Sequence, residues 1–149
     1  MITENKAKHI FNVARMMKEN AEKIGLNAEE MFTLGLVHDI GFEFGDSSEH
    51  HVLGAQIMES QGYKYVNEIL YHGFPDVEYH SLELDLLNWC DMQVDSKGNV
   101  VSFEERLEDI KSRRGEDSPI YKNCVKLISH LKETLGDKLN SDEIEKGSF

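Results

Sequence analysis

Gly35-Leu36-Val37-His38-Asp39-Ile40-Gly41 sets an imidazole beside a carboxylate near the end of an apolar run that begins at Met31. Met31, Phe32, Leu34, Leu36 and Val37 leave almost no polar face, so the segment reads as a buried helix. An unpaired charge in such surroundings is costly, and the His-Asp pair needs compensation. A helix-end histidine with a capping aspartate is the plainer account of a lone pair of this kind; a bound cation is the other, and it rests on the remaining histidines and one distant aspartate. Adjacent helical side chains diverge by about 100°, so one of the two can bind an ion while the other reaches towards a second. The rest of the chain decides between these accounts.

Upstream, Ile10, Val13, Ala14, Met17, Ala21 and Ile24 recur at helical spacing from about Thr3 to Ile24, with Gly25 as the stop and His9 bordering the apolar face. Asn27 is placed to cap a second helix with Glu29 and Glu30 in its first turn, ending at Ile40-Gly41. Phe42 to Ser48 read as a loop, in which Asp46, Ser47 and Ser48 offer caps for a third helix through about Ser60. There His50, Leu53, Gly54, Ile57 and Met58 share a face, so His50 points inward and His51 elsewhere. A short fourth helix runs from about Lys64 to His72, with Tyr65, Ile69 and His72 on one stripe.

Gly73-Phe74-Pro75-Asp76 breaks the chain before a fifth helix, roughly Ser81 to Val94, whose inward stripe is Leu87, Cys90, Asp91 and Val94. Asp95-Ser96-Lys97-Gly98-Asn99 is a turn. Ser102 with Glu105 forms a capping box for a sixth helix to about Arg113, and Ser118-Pro119 opens a seventh that ends near Gly136. His80 and His130 read as surface residues, since His130 falls opposite Val125, Ile128 and Leu131. Apart from Val100-Val101 there is no strand pattern, so the expectation is an all-α bundle of six to seven helices. It forms one domain over residues 1–136, followed by a polar tail, 137–149.

Composition narrows the partners. With 149 residues, 40% hydrophobic and 30% charged, the chain is long enough for a sizeable core. A formal net charge of −12 argues against bulk nucleic acid, which clustered Lys and Arg would hold. A small phosphorylated ligand needs only a few local cations or metal ions. No apolar run is long enough to span a membrane, and no basic-then-apolar leader opens the sequence. Cys90 and Cys124 have neither metal-ligand spacing nor a disulfide framework, so they read as reduced core thiols in a cytoplasmic protein. Oligomeric state is not legible, and a homodimer stays open.

Inward-facing polar residues thus fall on five successive helices: His9, His38 with Asp39, His50, His72 and Asp91. Six such residues are hard to satisfy independently. Imidazole with carboxylate, and no thiolate, suits iron, manganese, nickel, cobalt or zinc better than a structural Cys-type zinc site.

This ordered series resembles the His-Asp (HD) superfamily of metal-dependent phosphohydrolases over roughly residues 5 to 95. The flanking residues resemble it too: His9-Ile10-Phe11-Asn12-Val13-Ala14, Leu36-Val37-His38-Asp39-Ile40-Gly41 and Glu49-His50-His51-Val52-Leu53-Gly54-Ala55. In the family a Gly-Ala follows the third histidine by four residues, a register that His50 meets and His51 does not. The resemblance implies a helical bundle with His9, His38, Asp39 and Asp91 on one metal ion. His50 and His72 resemble the dinuclear subset, with Asp39 bridging to a second ion. Iron or manganese is favoured, with nickel, cobalt, zinc or magnesium also compatible. The branch that hydrolyses diadenosine tetraphosphate carries Lys three residues after the Asp, where this chain has Phe42. Tyr71-His72-Gly73-Phe74-Pro75 lacks the Gly-Tyr-Pro signature of the cyclic-di-nucleotide branch.

The expected activity is hydrolysis of a small phosphorylated molecule, a nucleotide foremost, by metal-activated water. Asp39 is then catalytic as the bridge, and His51, Glu43 and Asp46 are candidates for the acid on the leaving oxygen. Lys97, Arg106, Arg113 and Arg114 are candidate phosphate contacts, each with a surface charge as the plainer reading. Two alternatives share the ligand set: a di-iron oxygenase, and a metal- or nucleotide-binding regulatory domain without turnover.

Overall fold

The computed structural model describes residues 2–44 and 49–139 of the chain, Phe44 without its side chain. The Thr3 hydroxyl accepts from the Lys6 N–H at 3.1 Å and opens α1, Glu4–Ala21, which continues as a 3-10 turn, Glu22–Ile24. Gly25 closes it at φ +79°, in the left-handed region that favours glycine. Asn27 caps α2, Ala28–Val37, by accepting from the Glu30 N–H at 2.9 Å. The other elements are α3 (His50–Ser60), α4 (Val66–Tyr71), α5 (Leu82–Asp91), α6 (Phe103–Arg114) and α7 (Pro119–Leu139). The expected caps at Ser81 and Ser102 form, the latter as a full capping box with Glu105. The all-α class holds: among the described residues there is no strand, only an isolated bridge, Val94 with Val100.

Several boundaries differ from the sequence reading: α5 ends at Asp91 rather than near Val94, and α4 spans Val66–Tyr71 rather than Lys64 to His72. The second helix stops at Val37 rather than at Gly41, and a 3-10 helix, Ile40–Phe44, takes in the expected end of that helix and the start of the loop expected from Phe42. The reason is a close crossing, because a side chain at Gly41 would place its Cβ 1.9 Å from the His50 carbonyl oxygen. The seventh helix runs past Gly136 to Leu139, which is buried and continues the stripe of Ile128, Leu131 and Leu135. The proposed caps Asp46, Ser47 and Ser48 lie outside the described residues, as do positions 140–149 of the tail.

Helix α5 is the axis of the bundle and packs on α1, α2, α4 and α7. Leu86, Leu87 and Cys90 are wholly buried within it, and Leu127, Leu131 and Leu135 of α7 complete the core beside them. Cys90 and Cys124 are both free thiols and both buried. α1 and α2 meet closely because Gly35 has no side chain; a Cβ there would sit 2.4 Å from Ala14 Cα. This crossing brings the end of α2 against the first turns of α1. The α3 face is shallower than expected: Gly54 and Ala55 are buried, while Leu53, Ile57 and Met58 are only half-buried. No described helix is long and apolar enough to cross a membrane.

Candidate metal centre

All six of the singled-out His and Asp residues meet in the bundle. Five are buried: His9 in α1, His38 and Asp39 just beyond α2, His72 just beyond α4, and Asp91 ending α5. His50, first in α3, is half-buried. The donor atoms of His9, His38, Asp39 and Asp91 lie within 4.8 Å of one another, and so do those of Asp39, His50 and His72.

Backbone carbonyls fix the tautomers. His38 Nδ1 donates to the Gly35 carbonyl at 2.6 Å, His72 Nδ1 to the Ile69 carbonyl at 2.6 Å, and His9 Nδ1 to the Asp95 carbonyl at 3.2 Å. Each ring therefore turns Nε2 inward. His9 Nε2 lies 2.8 Å from Asp91 Oδ1 and 3.5 Å from Asp39 Oδ2. His38 Nε2 lies 3.3 Å from Asp39 Oδ2 and 3.5 Å from Asp91 Oδ1, yet it has no hydrogen-bond partner although wholly buried. On the other side, Asp39 Oδ1 stands 3.3 Å from His72 Nε2 and 3.5 Å from His50 Nε2. The two oxygens of Asp39 thus face two different donor sets.

Neutral imidazoles in these tautomers would turn lone pairs towards carboxylate oxygens, which repel them. Either protons or cations must stand between. In the protein alone His38 takes a proton: burial pushes its pKa down, but the neighbouring Asp39 and Asp91 charges prevail and lift it to about 10. Burial likewise drives Asp39 and Asp91 upward. His38, with His50 and His72 for Asp39 and His9 for Asp91, overcomes this and holds both well below the usual carboxylate range. An orphaned buried nitrogen and a hard N/O donor set fit a divalent ion.

The chain matches the HD domain family model over residues 7–134, which contain all six residues. It belongs to the HD domain family. That superfamily is of metal-dependent hydrolase type, mostly phosphohydrolases. No curated protein and no solved structure matches the chain.

Other candidates of this HD domain fall outside the cluster. His51 is half-buried beside His50, 4.8 Å from the Phe74 ring, and its pKa is lowered by burial and by the His50 and His72 charges. Glu43 is exposed and accepts from the Ile2 N–H at 3.3 Å; Asp46 lies outside the described residues. Lys97 is exposed on the turn after α5. Arg113 is paired with Asp109 at 3.0 Å, and Arg114 is exposed at the end of α6. Arg106 is largely covered, 3.7 Å from Asp109. The structure brings none of these cations into contact with the six residues.

Two residues escaped the sequence reading. Lys6 Nζ lies 3.3 Å from Asp39 Oδ2 and 4.0 Å above the Phe42 ring. The available signal was spacing, since Lys6 precedes His9 by three residues on α1 and so shares its face. Glu68 is a buried carboxylate that accepts from the Tyr79 hydroxyl at 2.6 Å and the Ser81 hydroxyl at 2.7 Å, tying α4 to the start of α5.

The raised His38 pKa gives an expected pH dependence for the metal-free protein. A folded-state pKa above the ordinary 6.5 contributes stability that is complete below 6.5 and lost as pH rises through about 10. The depressed carboxylates contribute above their ordinary 3.8 and lose this as pH falls. Chelated protein should therefore melt highest between these limits and fall steadily towards pH 10, while added metal, which needs His38 deprotonated, should stabilise most on the alkaline side. Thermal melts across pH with and without chelator test this; parallel curves would refute it.

Proposed function

We propose that this HD domain is a metal-dependent phosphohydrolase acting on a small phosphorylated molecule of the nucleotide class, with two ions held by the two donor sets. The observation that carries this reading is the division of Asp39, with Oδ2 towards His9 and His38 and Oδ1 towards His50 and His72. Iron or manganese suits these donors. Divalent ions bound there would polarise a phosphoryl oxygen and acidify water to near neutrality.

The protein's own residues supply the rest. Asp39 and Asp91, held ionised by the surrounding imidazoles, set the charge of the cleft. Lys6 sits at the rim, a quarter exposed, and can turn its ammonium from Asp39 to a substrate oxyanion. Lys6 joins Lys97, Arg113 and Arg114 as a candidate phosphate contact. His51 stands beside His50 with its pKa lowered by burial and by the neighbouring His50 and His72, and it is the candidate for the proton on the leaving oxygen. His51 meets His50 edge to face at 5.7 Å between ring centroids, and the exposed Phe74 packs on the His51 ring at 4.8 Å, so an apolar, aromatic edge adjoins the second donor set.

Metal analysis of the purified protein, followed by an anaerobic phosphate-release screen over nucleotides and phosphoesters with that metal, tests the proposal. Product without oxygen is expected. Turnover only with iron and oxygen would replace hydrolysis by oxidative chemistry. Ligand-dependent thermal stabilisation without product under any metal would make this a binding domain.

A further inference from the structure

His50 is held differently from its three partners. His9, His38 and His72 each have Nδ1 anchored on a backbone carbonyl and side chains at most 5% exposed. His50 is 22% exposed, and among the described residues no backbone carbonyl takes its Nδ1 proton. Its ring instead lies on Phe42, centroids 3.9 Å apart and planes 29° from parallel. Lys6 Nζ lies 4.0 Å over the same phenyl ring. The phenyl ring of Phe42 thus meets both an ammonium and an imidazole at about the same distance from its centre. Gly41 makes this arrangement accessible by letting the 3-10 helix press against the His50 backbone.

We infer that Phe42 is a positioning residue for His50 and sets the occupancy of the second ion; this rests on the two-ion reading above. The stack substitutes for the missing carbonyl anchor by restricting the imidazole to the plane in which Nε2 faces Asp39 Oδ1. An ion on Nε2 withdraws electron density from the imidazole, and an electron-poor ring is drawn more strongly to the phenyl face. The stack therefore tightens on loading and loosens on release. The first donor set has four members, all buried; the second has three, one of them shared. The second ion is the weaker and more exchangeable of the two, and Phe42 tunes it.

Titration of the metal-depleted full chain with Mn²⁺, read as stoichiometry and affinity by calorimetry, tests this in wild type, Phe42→Leu, Phe42→Ala and Phe42→Tyr. His50→Ala supplies the one-ion reference. Leucine keeps apolar bulk but offers no ring face; tyrosine keeps the face. In both the Leu and Ala variants the second ion should bind roughly tenfold to a hundredfold more weakly, the range typical of residues that orient a ligand. The first ion should be unchanged, and Phe42→Tyr should restore the second. Unaltered binding of two ions by Phe42→Leu would overturn the role of Phe42 while leaving the two-ion reading intact. Loss of both ions together would overturn it as well, since Phe42 would then support the whole cleft. A wild type that binds a single ion would remove the two-ion reading itself and this inference with it.

Discussion

Asp39→Ala should abolish hydrolysis and strip metal from both positions. The first donor set would keep His9, His38 and Asp91, three donors with reduced charge, while the second would keep only His50 and His72. Activity should fall on the order of 10³-fold or more, equivalent to about 4 kcal/mol of barrier. Asp39→Asn, which preserves volume but not charge, should behave similarly. Metal content by mass spectrometry separates the possibilities: two equivalents retained in Asp39→Ala would refute the bridge. Loss of the second ion alone would mean that Asp39 serves only one set.

The second large effect is expected at Gly41. A Cβ there would stand 1.9 Å from the His50 carbonyl oxygen and 2.7 Å from its carbon, both backbone atoms that no rotamer change can move aside. Gly41→Ala must therefore displace α3 or the 3-10 helix. Overpacking against backbone should cost about 3 kcal/mol, which for a chain of this size lowers the melting temperature by roughly 10 °C. Binding of the second ion should weaken with it, because the displaced residue is His50. Gly62→Ala is the matched control. Gly62 has φ +73° but nothing within 4 Å of where a Cβ would stand, so only left-handed strain of about 1 kcal/mol applies, with no effect on metal. A Gly41→Ala protein that melts with wild type and holds two ions would remove the close crossing from the account.

Much of this was legible in the sequence because helical periodicity carries both the core and the donors. Val13 and Met17 on α1, and Leu87, Cys90 and Asp91 on α5, sit on the inward faces their spacing assigns, and His50 rather than His51 joins the cluster. What periodicity misses is contact between elements distant in the chain. Lys6 reaches Asp39 across 33 positions, and the burial of Glu68 depends on hydroxyls at Tyr79 and Ser81. The 3-10 helix after Asp39 escaped for a related reason: it is set by the crossing of Gly41 with α3, which no local pattern records. The pairing of Arg113 with Asp109, by contrast, is an i,i+4 spacing that the sequence itself displays.

Cys90 adjoins the candidate ligand Asp91 yet is sealed inside α5, where burial pushes its thiol pKa far up. Protonated and out of reach of solvent, it is inert while the bundle stays closed. Alkylating reagents can reach it only when α5 separates from its neighbours, so the labelling rate at this one sulfur is a clock for the opening of the helix that carries Asp91.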